Sequence, residues 1–417
     1  MKRVLLTMAS LMMLISMSFA QNETPMLPES HGATDNQPAW GVSQNFDLAQ
    51  GWNWWSTYIN ATGIDQVENA LGENGEQIKS SSAVAEYLNG TWTGNLAFDI
   101  TKMYAIKMGT ASTVSLRGTR ANANDVSISL ASGWNWVGYP VNFTAATNYA
   151  LSTLTATQGD QIKGASSFAD YDEVSGSWVG NLNELNPGKG YKIFSNNSNG
   201  VTFTYPAVPA SSKGMLTSQY GNATEWQPEM ASNPNNMTMI AVISMDDNEL
   251  RSDNVEIGVF NGETCRGAVC PMYVDVLDQY VVFLTMYGEE NEPYTFRMLD
   301  HETGAVYESN EAAIRFTTDN MIGKLRSPFE LKFNSKSCTA NSLQLFPNPV
   351  NRGEMVNMTL PSDGTMTVEI INMMGSTLKT MRVAGSNELS VDMASGIYTI
   401  KVTDAQGKVY VDKLVVK

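Results

Sequence analysis

The chain reads as a mainly β, multidomain protein, and three observations carry that reading. Apolar and polar residues alternate with period two over many short runs bounded by Gly, Asn, Asp and Pro, the pattern of half-buried strands between turns. A set of motifs in the first half recurs once, in the same order. Breaks rich in Pro, Ser and Gly then separate further pieces of domain size within the 417 residues. The expected architecture is two tandem β-rich repeats, each with a short helix, then one β-sandwich module, then a C-terminal sandwich of immunoglobulin-like size.

The N-terminus comes first. Lys2 and Arg3 precede an apolar run from Val4 to Phe19, too short for a stable span, and Ser18-Phe-Ala20 offers small residues before Gln21. Residues 1–20 therefore read as a secretory signal cut between Ala20 and Gln21, followed by a flexible segment over 21–44. No cysteine follows the cut, which argues against a lipid anchor. No later run reaches about 18 apolar residues, so the mature chain is expected to lack a transmembrane helix.

Residues 45–120 and 121–207 are the repeats. Gly51-Trp-Asn-Trp54 recurs as Gly133-Trp-Asn-Trp136, Gln77-Ile-Lys79 as Gln161-Ile-Lys163, Trp92-Thr-Gly-Asn-Leu96 as Trp178-Val-Gly-Asn-Leu182, and Tyr104-Ala-Ile106 as Tyr191-Lys-Ile193. The offsets grow slowly from 82 to 87, as duplication with small loop insertions produces. Phe46, Leu48, Trp52 and Trp54 are spaced by even steps, which predicts one face of a strand pair turned at Gly51, and Ile128 to Trp136 repeat this around Gly133. Ile64, Val67 and Leu71 have helical spacing, as do Tyr149, Leu151 and Leu154. Trp52, Trp54, Trp134 and Trp136 are expected in the cores, since a module of about 80 residues needs large side chains to bury enough surface. Trp55, Trp92 and Trp178 lie off that face or beside turns and are the candidate exposed platforms for a sugar, with Asn53 and Asn135 as candidate partners for hydroxyls. The repeat resembles modules of surface proteins of Bacteroidota, a resemblance that brings no activity with it.

A linker at 208–214 leads to a module over 215–335. Its strands are expected at Met237–Met245, Val255–Phe260, Tyr280–Tyr287, Tyr294–Leu299 and Phe329–Phe333, with Asn261-Gly262 as a hairpin turn. Asp246, Asp247 and Asp253 supply hard oxygens in a loop, so calcium is the candidate ion there, although no EF-hand spacing is present. Apart from that ion no cofactor is expected. Cys265 and Cys270 are spaced to close a small disulfide ring, while Cys338 falls in a second linker at 336–342. With only His31 and His301 in the chain, a zinc site at the cysteines has few candidate ligands.

The final segment, 343–417, opens with Leu343-Gln-Leu-Phe-Pro-Asn-Pro-Val350, turns at Met374-Gly375, and continues through Gly396-Ile-Tyr398 to Lys413-Leu-Val-Val-Lys417. In these motifs and their order it resembles the type A C-terminal sorting domain of the type IX secretion system of Bacteroidota. The resemblance implies passage through the periplasm to the outer cell surface or the medium, the type IX machinery as partner, and removal of the domain with attachment to surface lipopolysaccharide or release.

The whole chain carries a net charge of −16 at pH 7. The leader is basic and the last segment balanced, so the acidic excess sits between them. Such a field repels phosphate backbones and excludes nucleic acid as a natural partner. No G-x-S-x-G, H-E-x-x-H or phosphate-cradling Gly-Lys-Ser/Thr motif is present. The reading is a non-enzymatic binding or adhesion protein taking a host glycan or matrix protein, with a carbohydrate-binding accessory protein as the alternative. A glycan hydrolase with two converging carboxylates is the further alternative, since such a pair leaves no local trace.

Overall fold

The computed structural model describes residues 41–207, 223–230, 233–340, 343–360, 365–384, 387–405, 407 and 409–417. The signal segment with its cut at Ala20 and Gln21, residues 21–40 and the linker at 208–214 lie outside the described residues. As expected, the chain is mainly strand with few short helices.

The first repeat is built from two sheets and the second from three. In the first, strands Val42–Leu48, Ser112–Arg120 and Ile59–Asn60 form one sheet, and Gly51–Trp55, Tyr104–Met108, Gly75–Lys79, Val84–Leu88 and Thr91–Gly94 form the other in that spatial order. The second repeats the five-stranded sheet with Gly133–Val137, Tyr191–Ser195, Gln161–Lys163, Phe168–Asp172 and Ser177–Gly180. The strand pair predicted around Gly51 is corrected here. Val42–Leu48 pairs with Ser112–Arg120 and Gly51–Trp55 pairs with Tyr104–Met108, so the chain changes sheets at the glycine. That change shifts which face is inside. Phe46, Leu48 and Trp55 share the first core with Val67, Leu71 and Tyr104, while Trp52 and Trp54, on the other face of their strand, point away from it. The first repeat also begins earlier than expected, at Val42. The helix of the first repeat spans Ile64–Leu71 and buries Val67 and Leu71; its counterpart is one turn, Thr147–Ala150.

The third unit is an eleven-stranded sheet among the described residues, folded over on itself. Its edge strand Thr264–Val269 lies across Gln279–Tyr287 so closely that a Cβ on Gly267 would come within 2.3 Å of the Thr285 carbonyl. All the predicted strands form. The last of them continues through Phe329–Ala340, where Cys338 pairs with Tyr307, so most of the expected second linker is strand.

The C-terminal unit is a sandwich of a three-stranded and a four-stranded sheet. Val356, Met358 and Leu389 of the first pack on Val368, Ile400 and Leu414 of the second. Its entry and exit segments are one structural feature. Asn348 Nδ2 donates to the Lys413 carbonyl at 2.6 Å, and the Val415 amide donates to Asn348 Oδ1 at 2.9 Å. The Val350 amide then donates to Val415 O and the Lys417 amide to Val350 O. Asn348→Ala removes two hydrogen bonds, at about 1 kcal/mol each. We expect hydrogen exchange at Val415 and Lys417 to accelerate without change in the strands at Thr365–Asn372, and equal protection of both regions would contradict the clamp.

Candidate functional site

The Gly-Trp-Asn-Trp motifs build the junction of the two repeats. Gly51 and Gly133 take φ of 88° and 87°, a left-handed conformation that favours glycine. Asn53 accepts from the Ala49 amide at 3.0 Å and donates to the Ala49 and Gly51 carbonyls; Asn135 does the same with Ala131 and Gly133. The two asparagines therefore tie their own turns.

The repeats meet with approximate two-fold symmetry. The Ser56 amide donates to Gly188 O, and the Gly138 amide to Thr101 O at 2.8 Å. By the repeat offsets Gly138 is the counterpart of Ser56 and Gly188 that of Thr101, so one contact is the exchange of the other, as in an isologous dimer. Glycine permits the approach. A Cβ on Gly138 would lie 2.6 Å from Ile100 O, and one on Gly190 would lie 2.6 Å from Met103 Cβ.

At this junction indoles and ammonium groups interleave. Lys192 Nζ lies 5.0 Å from the Trp54 ring and 4.9 Å from its counterpart Trp136. Lys163 lies 4.3 Å from Trp134, and its counterpart Lys79 lies 4.6 Å from Trp52. The third unit closes the cluster. Asp319 forms ion pairs of 2.8 Å with both Lys163 and Lys192, whose side chains are 0% and 1% exposed. Its carbonyl accepts from Trp134 Nε1 at 2.8 Å, and Trp54 Nε1 donates to Pro234 O. Burial pulls the Lys163 ammonium down to about 7 against the attraction of Asp319. Burial pushes the Asp319 carboxyl up, and the two ammonium groups outweigh it and hold it below the usual range.

Two equivalent clefts flank the contact. One, of about 560 Å³, is lined by Gly164–Ser167, Asn183, Lys189 and Tyr191 of the second repeat with Trp54 of the first. The other, of about 500 Å³, is lined by Ser80–Ala83, Ala97, Lys102 and Tyr104 of the first repeat with Trp136 of the second. Each cleft therefore takes its indoles from the opposite repeat, Trp52 and Trp54 in the first and Trp136 in the second. A third cavity, of about 510 Å³, lies between Trp52, Trp54 and the third unit at Pro228, Pro234 and Tyr287.

The candidate platforms are placed differently from expectation. Trp55 is 2% and Trp178 7% exposed, both in cores. Trp92 is half-buried on Tyr87, its cross-strand partner at 5.6 Å, as Trp178 is on Tyr171. Pairing across the hairpin covers both rings. Asp246 and Asp247 are the two central residues of the turn between Met245 and Asn248, with φ of 50° and 63°, as a tight primed hairpin requires. Asp246 Oδ1 accepts from the Ser335 amide, and Asp253 is an exposed residue ahead of the next strand. The disulfide is corrected: Cys265 and Cys270 are free thiols. An extended strand separates them, and five steps of about 3.3 Å hold their Cα atoms about 16 Å apart, against the roughly 4–7 Å a disulfide needs.

Sequence reasoning missed a different cluster. Among the described residues, ligand atoms of Glu256, Cys270 and His301 converge within 4.8 Å. Glu256 is fully buried in an apolar strand and accepts the Glu225 and Trp226 amides at 2.6 and 2.9 Å. A lone glutamate inside Val255-Glu-Ile-Gly-Val-Phe260 was the available signal.

Residues 344–417 match the family model described as a secretion system C-terminal sorting domain. The chain ends in a type IX sorting domain. The sorting domain marks the protein for export to the cell surface or the medium and implies contact with the type IX machinery. No helix among the described residues is long and apolar enough to cross a membrane. Comparison with curated proteins gives no match. Among solved structures, the chain is similar to the Bacteroides ovatus mixed-linkage glucan utilization locus protein SGBP-B, solved with a mixed-linkage heptasaccharide, at 12% identity and a TM-score of 0.19. That match covers 71% of this chain and 64% of the other, so this chain spans less than two thirds of its length. Dimeric latent PorU from Porphyromonas gingivalis matches at 8% identity over 90% of this chain and 30% of its own, with a TM-score of 0.18. The Bacillus anthracis TIE protein matches at 10% identity over 93% and 56%, with a TM-score of 0.15. Scores this low assign neither fold nor function.

Two stability predictions follow from the buried charges. Asp319→Ala leaves two buried ammonium groups without a counter-charge and is expected to cost about 3–5 kcal/mol in denaturant unfolding. Asp170, bonded to Gln161 at 2.7 Å, has its carboxyl pushed up to about 7 by burial. A raised carboxyl favours the fold below its unfolded value near 4 and loses that contribution as pH rises through 7. Melting curves of Asp170→Asn should therefore gain on wild type between pH 4 and 7 and run parallel above it; a constant difference would refute the assignment.

Proposed function

We propose that this is an exported, non-enzymatic binding protein whose ligand is a neutral saccharide held in the two equivalent clefts between the repeats. The observation that supports the reading is the pairing of the clefts. Both repeats present a hydroxyl-bearing loop, Ser80–Ala83 or Gly164–Ser167, opposite an indole contributed by the other repeat. Hydroxyls, amides and one aromatic wall are the groups that recognise a sugar's hydroxyls and C–H faces. The net charge of −16 disfavours acidic polymers.

The carboxylates around the clefts support binding over hydrolysis. Asp99 accepts from Thr101 Oγ1 at 2.7 Å, Asp47 from Thr113 Oγ1 at 2.7 Å and Glu184 from Asn186 Nδ2 at 3.3 Å. Asp99 has Asn186 as its counterpart in the other repeat, so an acid in one cleft is an amide in its twin. A shared hydrolytic pair would not tolerate that exchange.

Calorimetric titration of the full chain with a panel of neutral oligosaccharides tests the reading. Ser82→Trp and Ser166→Trp fill one cleft each from exposed loop positions and leave the junction indoles in place. We expect two equivalents of sugar bound by the wild type, one by each variant and none by the double variant. Absence of saccharide binding, or binding indifferent to the double substitution, overturns the proposal, and matrix-protein binding alone would favour an adhesin with its site elsewhere.

A further inference from the structure

We propose that Glu256, Cys270 and His301 form a zinc-binding site with an open fourth position, separate from the clefts. The three side chains come from different elements of the third unit. Glu256 lies in strand Val255–Asn261, Cys270 follows strand Thr264–Val269, and His301 follows strand Pro293–Asp300. His301 Nε2 is 3.6 Å from Glu256 Oε2 and 3.9 Å from Cys270 Sγ. Zinc bonds of about 2.3 Å to sulfur and about 2.0–2.1 Å to nitrogen and oxygen, at tetrahedral angles, place those atoms about 3.3–3.5 Å apart. The two His301 separations need to close by a few tenths of an ångström, and Cys270 Sγ, within 4.8 Å of the Glu256 carboxylate, by at most about 1.3 Å.

The outer groups are also arranged for a metal. His301 Nδ1 faces Glu225 Oε1 at 3.3 Å, which favours the tautomer with the proton on Nδ1 and leaves the Nε2 lone pair directed at Cys270 and Glu256. The Glu256 carboxylate is fixed by the two backbone amides of Glu225 and Trp226. A carboxylate behind the imidazole and donors behind the ligating carboxylate are the recurring supports of zinc ligands. A cavity of about 260 Å³ lined by Ala223, Thr224, Val269, Cys270 and Met272 lies beside the thiol and offers room for water at the fourth position.

Other uses of the cluster fit less well. Sulfur and imidazole are poor partners for calcium, which takes oxygens. A Cys270–His301–Glu225 nucleophile would need a thiolate favoured by its surroundings. Here Cys270 is 2% exposed, so the thiol is not presented to a substrate as a nucleophile must be.

The test uses the full chain, stripped with a chelator and titrated with Zn²⁺ against a chromogenic competitor, then with Co²⁺ alone. One equivalent of zinc should bind, and the cobalt form should show a thiolate-to-cobalt charge-transfer band. Cys270→Ser should abolish that band and His301→Ala the tight site, while Glu225→Gln should weaken zinc by about 10–100-fold. Cys265→Ser, outside the site, should keep the single equivalent. No tight equivalent in the wild type, or uptake and spectrum unchanged in Cys270→Ser and His301→Ala, overturns the proposal.

Discussion

Asp319 is the charge on which the arrangement of the first three units depends. Lys163 and Lys192 stand directly opposite each other on adjacent strands, and like charges so placed repel. Both are buried, which removes the water that would screen them. Indoles offset part of that cost through cation–π contact, but a ring quadrupole carries no net charge. The carboxylate from the third unit supplies it, at 2.8 Å from each ammonium. Once the third unit covers this face, the two ammonium groups are tolerated only because the same unit brings their counter-charge with it.

The same cluster explains where the repeats differ. Lys192 sits nearly equidistant from Trp54 and Trp136, on the approximate two-fold axis. Its counterpart in the first repeat is Ala105, which pairs with Trp54 as Lys192 pairs with Trp136. An axis has room for one such ammonium. A lysine at 105 as well would bring a further cation into a buried cluster with a single carboxylate, so near-symmetry in the backbone demands asymmetry at this position.

Strand and repeat positions were legible because they are local: period two, helical spacing at Ile64, Val67 and Leu71, and motifs recurring at growing offsets. What escaped the sequence is what two or more units make together. Trp52 and Trp54 obey the strand alternation, yet the chain's change of sheet at Gly51 directs them outward, into a junction, and turns Trp55 inward. Asn53 looked available because nothing in the motif shows that its side chain ties the turn. Glu256, Cys270 and His301 are separated by up to 45 residues, and only the fold of the third sheet brings them together.

Docking on one side also accounts for side-chain size across the repeats. Phe168 in the second repeat is fully buried against Ile240 and Phe283 of the third unit, and Asp172 at the other end of the same strand holds Arg326 through two hydrogen bonds. The counterpart of Phe168 is Val84, which is 43% exposed. A phenylalanine is favoured where a neighbour covers it, and the smaller residue stands where none does, since exposing a large aromatic gains nothing from burial. Gln161 follows the same logic. It bonds Asp170 and receives Thr238 of the third unit in a sealed chain, whereas its counterpart Gln77 meets Glu86 at a half-buried edge. One duplicated sheet thus serves as an interface in one copy and as outer surface in the other, and the two clefts, equivalent in backbone, differ in what stands behind them.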